Sequence, residues 1–301
     1  MFIHRAGASA VCLVLATSAV HAAEKRFEEA YTVQPGGKLS VEANEGDVIV
    51  TGTNSDRVVV RVVMSGSERS LERMTLTTQQ KGNDVLVTAK HRNGDWRGWI
   101  SLGSNDSNKI SIEVPRGYNV DLRTSAGDLS VSQLTGEASV KTSDGDIHVA
   151  DIVGPVHLQT SSGDIELANI KGSVVAISSS GDLLMRDLQG QIDVKTSDGD
   201  INAHRIDGRI AARTSSGDVN VQLLGSNRGV TLDTSSGNID LRVPKDISAL
   251  LDASSDSGSV RAELAITTTT VSERRLQGTI NGGGDRIHAR TSDGDVRLHG
   301  G

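Results

Sequence analysis

TSSGDIEL, residues 160–167, is the stretch that decides the fold. Slightly altered, it returns as TSAGDLSV at 124–131, TSDGDIHV at 142–149, SSSGDLLM at 178–185, TSDGDINA at 196–203, TSSGDVNV at 214–221, TSSGNIDL at 234–241 and TSDGDVRL at 291–298. The glycines Gly127, Gly145, Gly163, Gly181, Gly199 and Gly217 are spaced by 18 residues each time, with Gly136, Gly154, Gly172, Gly190 and Gly208 midway between them. A fixed period of this kind is the signature of a solenoid.

The content of each 18-residue unit follows from its apolar columns. Val120, Ala138, Val156, Val174, Ile192 and Ile210 form one; Leu129, Ile147, Ile165, Leu183, Ile201 and Val219 form another. A further column reads Leu134, Ile152, Ile170, Leu188, Ile206 and Leu224. Polar residues alternate with apolar ones at period two, which is the strand pattern. Each unit is therefore one coil of two or three short strands joined at glycine corners. Coils stacked about 4.8 Å apart pair each strand in parallel with its copies above and below. Residues 118–301 would make roughly ten coils, a rod about 50 Å long.

The recurring phrase is the corner. Glycine supplies positive φ, and Ser and Asp side chains fold onto backbone amides. Thr124, Thr142, Thr160, Ser178, Thr196 and Thr214 form one column there, and Ser125, Ser143, Ser161, Ser179, Ser197 and Ser215 the next. The expected class is all-β: a parallel β-helix (β-solenoid) with 18-residue coils and a less regular β-rich N-terminal cap. Residues 1–22 read as a signal peptide, 23–115 as the cap and start of the solenoid, and 116–301 as the solenoid. In the cap, residues 58–64, 74–78, 85–90 and 109–114 read as strands. Toward the C-terminus the phasing loosens. Residues 267–277 read as an insertion or edge cover, and residues 287–298 as one last coil that leaves little sequence to cover its edge.

The signal-peptide reading rests on Arg5, a mostly small or apolar run at 8–20, and Val20-His21-Ala22, a small-x-small cleavage pattern. The one cysteine, Cys12, lies inside that run, so the exported chain would carry no disulfide. Loss of residues 1–22 leaves 30 basic against 38 acidic residues, a net charge of −8. No Lys/Arg cluster points to nucleic acid. No later segment reaches the ~18 apolar residues of a membrane span.

Candidate sites follow from residue type and spacing. Asp128, Asp146, Asp164, Asp182, Asp200 and Asp218 stack at the corner and would repel by about 1 kcal/mol per neighbour in water. They are calcium candidates, because oxygen-rich turns suit a hard cation. The plainer reading has hydrated carboxylates capped by backbone amides and helped by Arg123, Lys141, Lys195 and Arg213. No other metal and no cofactor is expected. His91, His148, His157, His204, His288 and His299 fall in different columns, as solvated surface residues do. No nucleophile motif is present, so no catalytic residue is assigned. Trp96 and Trp99, in a polar loop, are candidates for surface binding or for plugging the solenoid end.

The early GDVIV at 46–50, the entry ISIEVPRGYNVDLRTSAGDLSV at 110–131, the serial corners and TSSGNIDLRVP at 234–244 together resemble a bacterial family of β-strand repeat proteins of unknown function, the "putative adhesins". The resemblance implies an exported β-solenoid in the periplasm or on the cell surface, and carries no catalytic residue with it. Three functions remain open at this point. The first is a non-enzymatic adhesin, binding or scaffold protein whose partner is an envelope component, glycan or protein. The second is a self-associating, filament-like β-helix. The third is a carbohydrate-active enzyme.

Overall fold

The computed structural model describes residues 23–91 and 107–301. Its middle is a parallel β-solenoid with an 18-residue coil. Ile147 lies beside Leu129 on one side and Ile165 on the other. Val140 likewise lies between Leu122 and Leu158. Equivalent residues of successive coils are thus nearest neighbours, and two broad sheets face each other across an aliphatic core. One sheet contains Ala138–Lys141, Val156–Gln159 and Val174–Ile177; the other contains Ile147–Val153 and Ile165–Lys171. Ile147, Ile165, Leu183, Ile201 and Val219 are fully buried. Each such side chain contributes roughly 1.5–3 kcal/mol by leaving water.

The coil also turns where no glycine stands. Gln133, Asp151, Asn169, Asp187 and Arg205 have φ between +57° and +62°. Each lies between two inward residues three apart, such as Val149 and Ile152, and absorbs the extra residue. The left-handed conformation costs a non-glycine residue about 1–2 kcal/mol. Side-chain bonds between coils support it: Asn169 Nδ2 donates to Asp151 Oδ1 at 3.0 Å, and Arg205 Nε to Asp187 Oδ1 at 2.6 Å. The glycine-corner reading missed this column because no single residue type runs through it.

Leu224 corrects the third apolar column. It is 51% exposed, and Leu223 is buried in its place, beside Ile206. In Val221-Gln222-Leu223 the chain continues in plain alternation without the left-handed residue, so the inward position comes one residue early.

The ends depart most from the sequence order. Lys38–Ala43 is flanked by Asp84–His91 on one side and Asn119–Arg123 on the other. Asp47–Thr53 lies between Ser107–Pro115 and Leu129–Leu134. Beyond these come antiparallel strands, Met74–Lys81 in one sheet, and Arg57–Gly66 then Ala23–Thr32 in the other. The four cap strands read from sequence are present with slightly longer bounds, while Ala23–Thr32 and the short helix Glu68–Arg73 had no clear sequence signal. Tyr118 is fully buried at the entry to the stack, and its hydroxyl donates to the Asn83 carbonyl.

At the other end, Arg286–Asp293 lies between Val230–Ser236 and Ala249–Ser255. Val296–Gly300 lies between Ile239–Val243 and Val260–Ala262. The last coil in sequence is therefore internal, contrary to the expectation of an uncovered final coil. The chain skips one rung, builds the next, and returns to fill the gap. Outside it, Arg275–Ile280 and then Ile266–Ser272 cover the edge as an antiparallel hairpin.

Candidate functional site

The corner is built from three columns with distinct tasks. An added Cβ on Gly163 would meet the Gly145 carbonyl oxygen at 2.1 Å, and the same clash recurs at Gly181, Gly199 and Gly217. The six turn glycines Gly127, Gly145, Gly163, Gly181, Gly199 and Gly217 have φ from +114° to +155°. Glycine thus answers two demands, backbone conformation and contact with the coil below. The Thr column points inward and is buried. From Thr160 onward its hydroxyls donate to glycine carbonyls of the neighbouring coil, as from Thr196 to Gly181 at 3.1 Å and Thr291 to Gly237 at 2.8 Å, while Thr124 and Thr142 donate within their own turns to the Ala126 and Asp144 carbonyls.

The Asp column forms a ladder. Oδ1 of Asp146 accepts from the Asp164 amide at 2.8 Å, and the bond repeats from Asp164 to Asp182, Asp200 and Asp218. The ladder begins with Asp47 and Asp128 and ends through Asn238 and Asp295 at Ser259. It visits the coils in spatial order, so it crosses the skipped rung. Except at Asn238, whose neutral amide oxygen accepts from Asp295, each amide donates to a charged acceptor, which offsets the repulsion between stacked carboxylates. Arg123 and Arg213 do not serve the column as expected: they pair with Asp121 and with Asp193 and Asp233. Among the described residues no group of three His, Cys, Asp or Glu converges as a metal-ligand set. Trp96 and Trp99 lie outside the described residues.

A second arrangement was not legible from sequence. Where the C-terminal hairpin joins the sheet beside Ala249–Ser255, a groove of about 340 Å³ opens. Asp252, Asp256, Arg274, Arg275, His288 and Arg290 line it. Asp252 accepts from Gln277 Nε2 at 2.9 Å and from Arg286, with Arg275 at 3.6 Å. Burial opposes the ionisation of Asp252. The hydrogen bonds from Gln277 and Arg286, with the Arg286 and His288 charges, outweigh it and hold the carboxyl below its usual range. His288 stands between Asp252, 3.5 Å from Nδ1, and Asp233, 3.7 Å from Nε2.

On the other sheet His299 bridges Glu263 and Asp240, both at 3.1 Å. The Glu263 hydrogen bond, aided by the Asp240 charge, raises its pKa against the effect of burial. His148 and His157 are more exposed, each near one carboxylate, Glu166 at 3.2 Å and Glu137 at 3.9 Å. The solvated reading fits these two better than His288 or His299. Those two gain carboxylates on both sides only because of the skipped rung. Burial, aided by Asp84, pushes the Tyr118 phenol up to about 12.

One family model, Toastrack DUF4097, matches the chain over residues 37–228 and 206–299. The chain belongs to the Toastrack DUF4097 family. No curated protein matches it. This Toastrack chain is similar to a "putative adhesin" structure from Bacteroides fragilis, with 13% identity and a TM-score of 0.46, covering 93% of this chain and 100% of that one. It is also similar to a "putative lipid binding protein" from Parabacteroides distasonis, at 13% identity and a TM-score of 0.43, covering 91% and 96% of the two chains. A second Parabacteroides distasonis structure, a "putative adhesin", matches at 12% identity and a TM-score of 0.40, covering 91% and 97%.

Proposed function

We propose that this Toastrack protein is an exported, non-enzymatic binding rod of the bacterial cell envelope, whose outward rows recognise an envelope component, a glycan or a protein. The observation that carries the reading is the contrast between inward and outward rows of the same strands. Inward, Ile147, Ile165, Leu183 and Ile201 are all aliphatic. Outward, the adjoining row reads His148, Glu166, Leu184 and Asn202. The inner rows meet one demand, packing. The outer rows are free to differ and present a fixed chemical pattern on a stiff frame. The N-terminal pattern at 5–22 supports export. Among the described residues no helix is long and apolar enough to cross a membrane.

The test is capture of partners from the organism's own envelope extract with the tagged chain, comparing wild type with Glu166→Ala/Leu184→Ala on the outward row. A partner retained by wild type and weakened by the row variant supports the reading. Turnover of an envelope polysaccharide by the purified chain would sink it.

A second reading, self-association, is favoured by one strand. Ile266–Ser272, ITTTTVS, is an outer edge with no charged residue, and Val271 is 66% exposed. Edges of this kind invite strand pairing. Sedimentation velocity across a concentration series decides it, because a monomer at every concentration removes the reading.

A further inference from the structure

We propose that the groove beside the C-terminal hairpin binds a phosphate group. The proposal gives the binding reading a particular site, and it can fail without that reading failing.

The groove lies where the periodic wall is broken. The hairpin of Ile266–Ser272 and Arg275–Ile280 pairs antiparallel beside Ala249–Ser255 and extends that sheet, which sets Arg275 opposite Ser254 and Arg274 beside Ser255. Insertions on a rigid scaffold are where recognition commonly sits. Three guanidinium groups border the concavity from two directions, Arg274 and Arg275 from the hairpin and Arg290 from the stack. The Arg274 side chain makes no hydrogen bond or ion pair among the described residues. Arg275 reaches Asp252 only at 3.6 Å and Arg290 reaches Asp256 only at 3.4 Å. At those lengths most of their N–H donors stay available. Nδ1 of His288, at the lining, is a buried polar atom with no hydrogen-bond partner, its nearest acceptor being the Asp252 carboxylate at 3.5 Å. Buried polar atoms are nearly always paired, and an anion oxygen is a partner the ring can serve as a donor.

Charge selects the ligand class. In the lining Arg274, Arg275 and Arg290 outnumber Asp252 and Asp256, and Asp252 is already paired with Arg286 from outside it, so the groove disfavours a metal cation. One guanidinium fork saturates a carboxylate, whereas a phosphate offers three terminal oxygens to forks arriving from different sides. The chain as a whole is acidic, with a net charge of −7. A polyanion lying along the rod would be repelled, and a single phosphate, on a lipid headgroup or a sugar, would not.

The test is titration calorimetry of the purified chain with inorganic phosphate at matched ionic strength. Wild type should show saturable binding. Arg274→Gln/Arg290→Gln should weaken it at least about tenfold, the loss of two charge-assisted contacts. Arg123→Gln, on a distant coil, should leave it unchanged. Arg274→Lys, which keeps charge but loses the fork, should fall between. Equal melting temperatures show that the exposed substitutions preserve the fold. Cosedimentation with phosphatidylcholine vesicles containing phosphatidic acid, set against binding of a hexose phosphate, distinguishes the two sources, and dependence of either on the arginines supports the site. Absence of saturable phosphate binding, or binding unchanged in the double variant, overturns it. Envelope capture that survives the double variant would remove the groove while leaving the binding rod intact.

Discussion

The two ends of the rod meet the same problem in different ways. At the N-terminal end the outermost strand Ala23–Thr32 pairs along its length with Arg57–Gly66 and carries Glu24, Lys25, Arg26, Glu28 and Glu29. At the C-terminal end the outermost strand Ile266–Ser272 is uncharged, and its pairing slips at a bulge between Thr268 and Thr270. Charge discourages a foreign strand at the N-terminal end; the C-terminal edge has no such charge, and only the irregularity in its pairing interrupts it. Both ends share a deeper device. The coils at 38–53 and 286–300 are each covered on both sides, because the chain lays down the cover as an insertion and then returns. The stack between the ends has no such freedom, since every corner touches the corner below.

That contrast can be broken most sharply at glycine. Gly181→Ala should cost about 3 kcal/mol or more, because the new methyl has no room beside the Gly163 carbonyl and φ is unfavourable. Gly82→Ala, in the cap hairpin, has positive φ but open space, and should cost only about 1 kcal/mol. Denaturant midpoints of the two variants measure the difference, and equal shifts would refute the stacking argument.

The next effect is in the core. Ile165→Ala, buried between Ile147 and Leu183, should lose about 2–5 kcal/mol. Val271→Ala, on the exposed C-terminal edge, should change stability by less than about 0.5 kcal/mol.

The Asp ladder comes third. Asp182→Ala removes the acceptor for the Asp200 amide and should cost about 1 kcal/mol. Asp182→Asn keeps an acceptor, as Asn238 does naturally for Asp295, and should be close to neutral. With the ladder oxygens engaged by amides, millimolar calcium is expected to leave the wild-type melting temperature unchanged. A clear rise abolished by Asp182→Asn would restore the calcium reading.

The smallest effect depends on pH and is specific to the C-terminal end. His299 has a raised folded pKa, so its contribution is full below about pH 6.5 and is lost as pH rises through the folded value. Asp252 has a lowered pKa, so its contribution is present above about pH 4 and is lost as pH falls through the folded value. Both groups are partly exposed, so each effect should stay below about 1 kcal/mol. Melting curves of wild type and His299→Gln should converge as pH is raised, and parallel curves would refute the assignment.

Much of the molecule is legible in the residues alone. The 18-residue period, the inward columns and the Thr and Asp rows follow from residues repeating at one spacing, because a parallel stack places like beside like. Leu224, the column led by Gln133, and the arginine groove are not legible in this way. Leu224 moves outward because one conformational step is omitted. The Gln133 column shares a backbone angle but no common side chain, running Gln, Asp, Asn, Asp, Arg. The groove joins Asp252 to Arg275 and Arg286 through strands whose spatial order differs from their chain order.

The sequence by its own pattern determined the coil: its length, its two-residue alternation and the glycine where backbone meets backbone. These are local demands that recur identically on every rung. Tertiary structure decided which rung lies next to which at the ends, and therefore which charges meet there. Parallel pairing satisfies any neighbouring coil of equal length almost equally well, so rung order is settled only when the whole chain, with its hairpins, closes over both ends of the core.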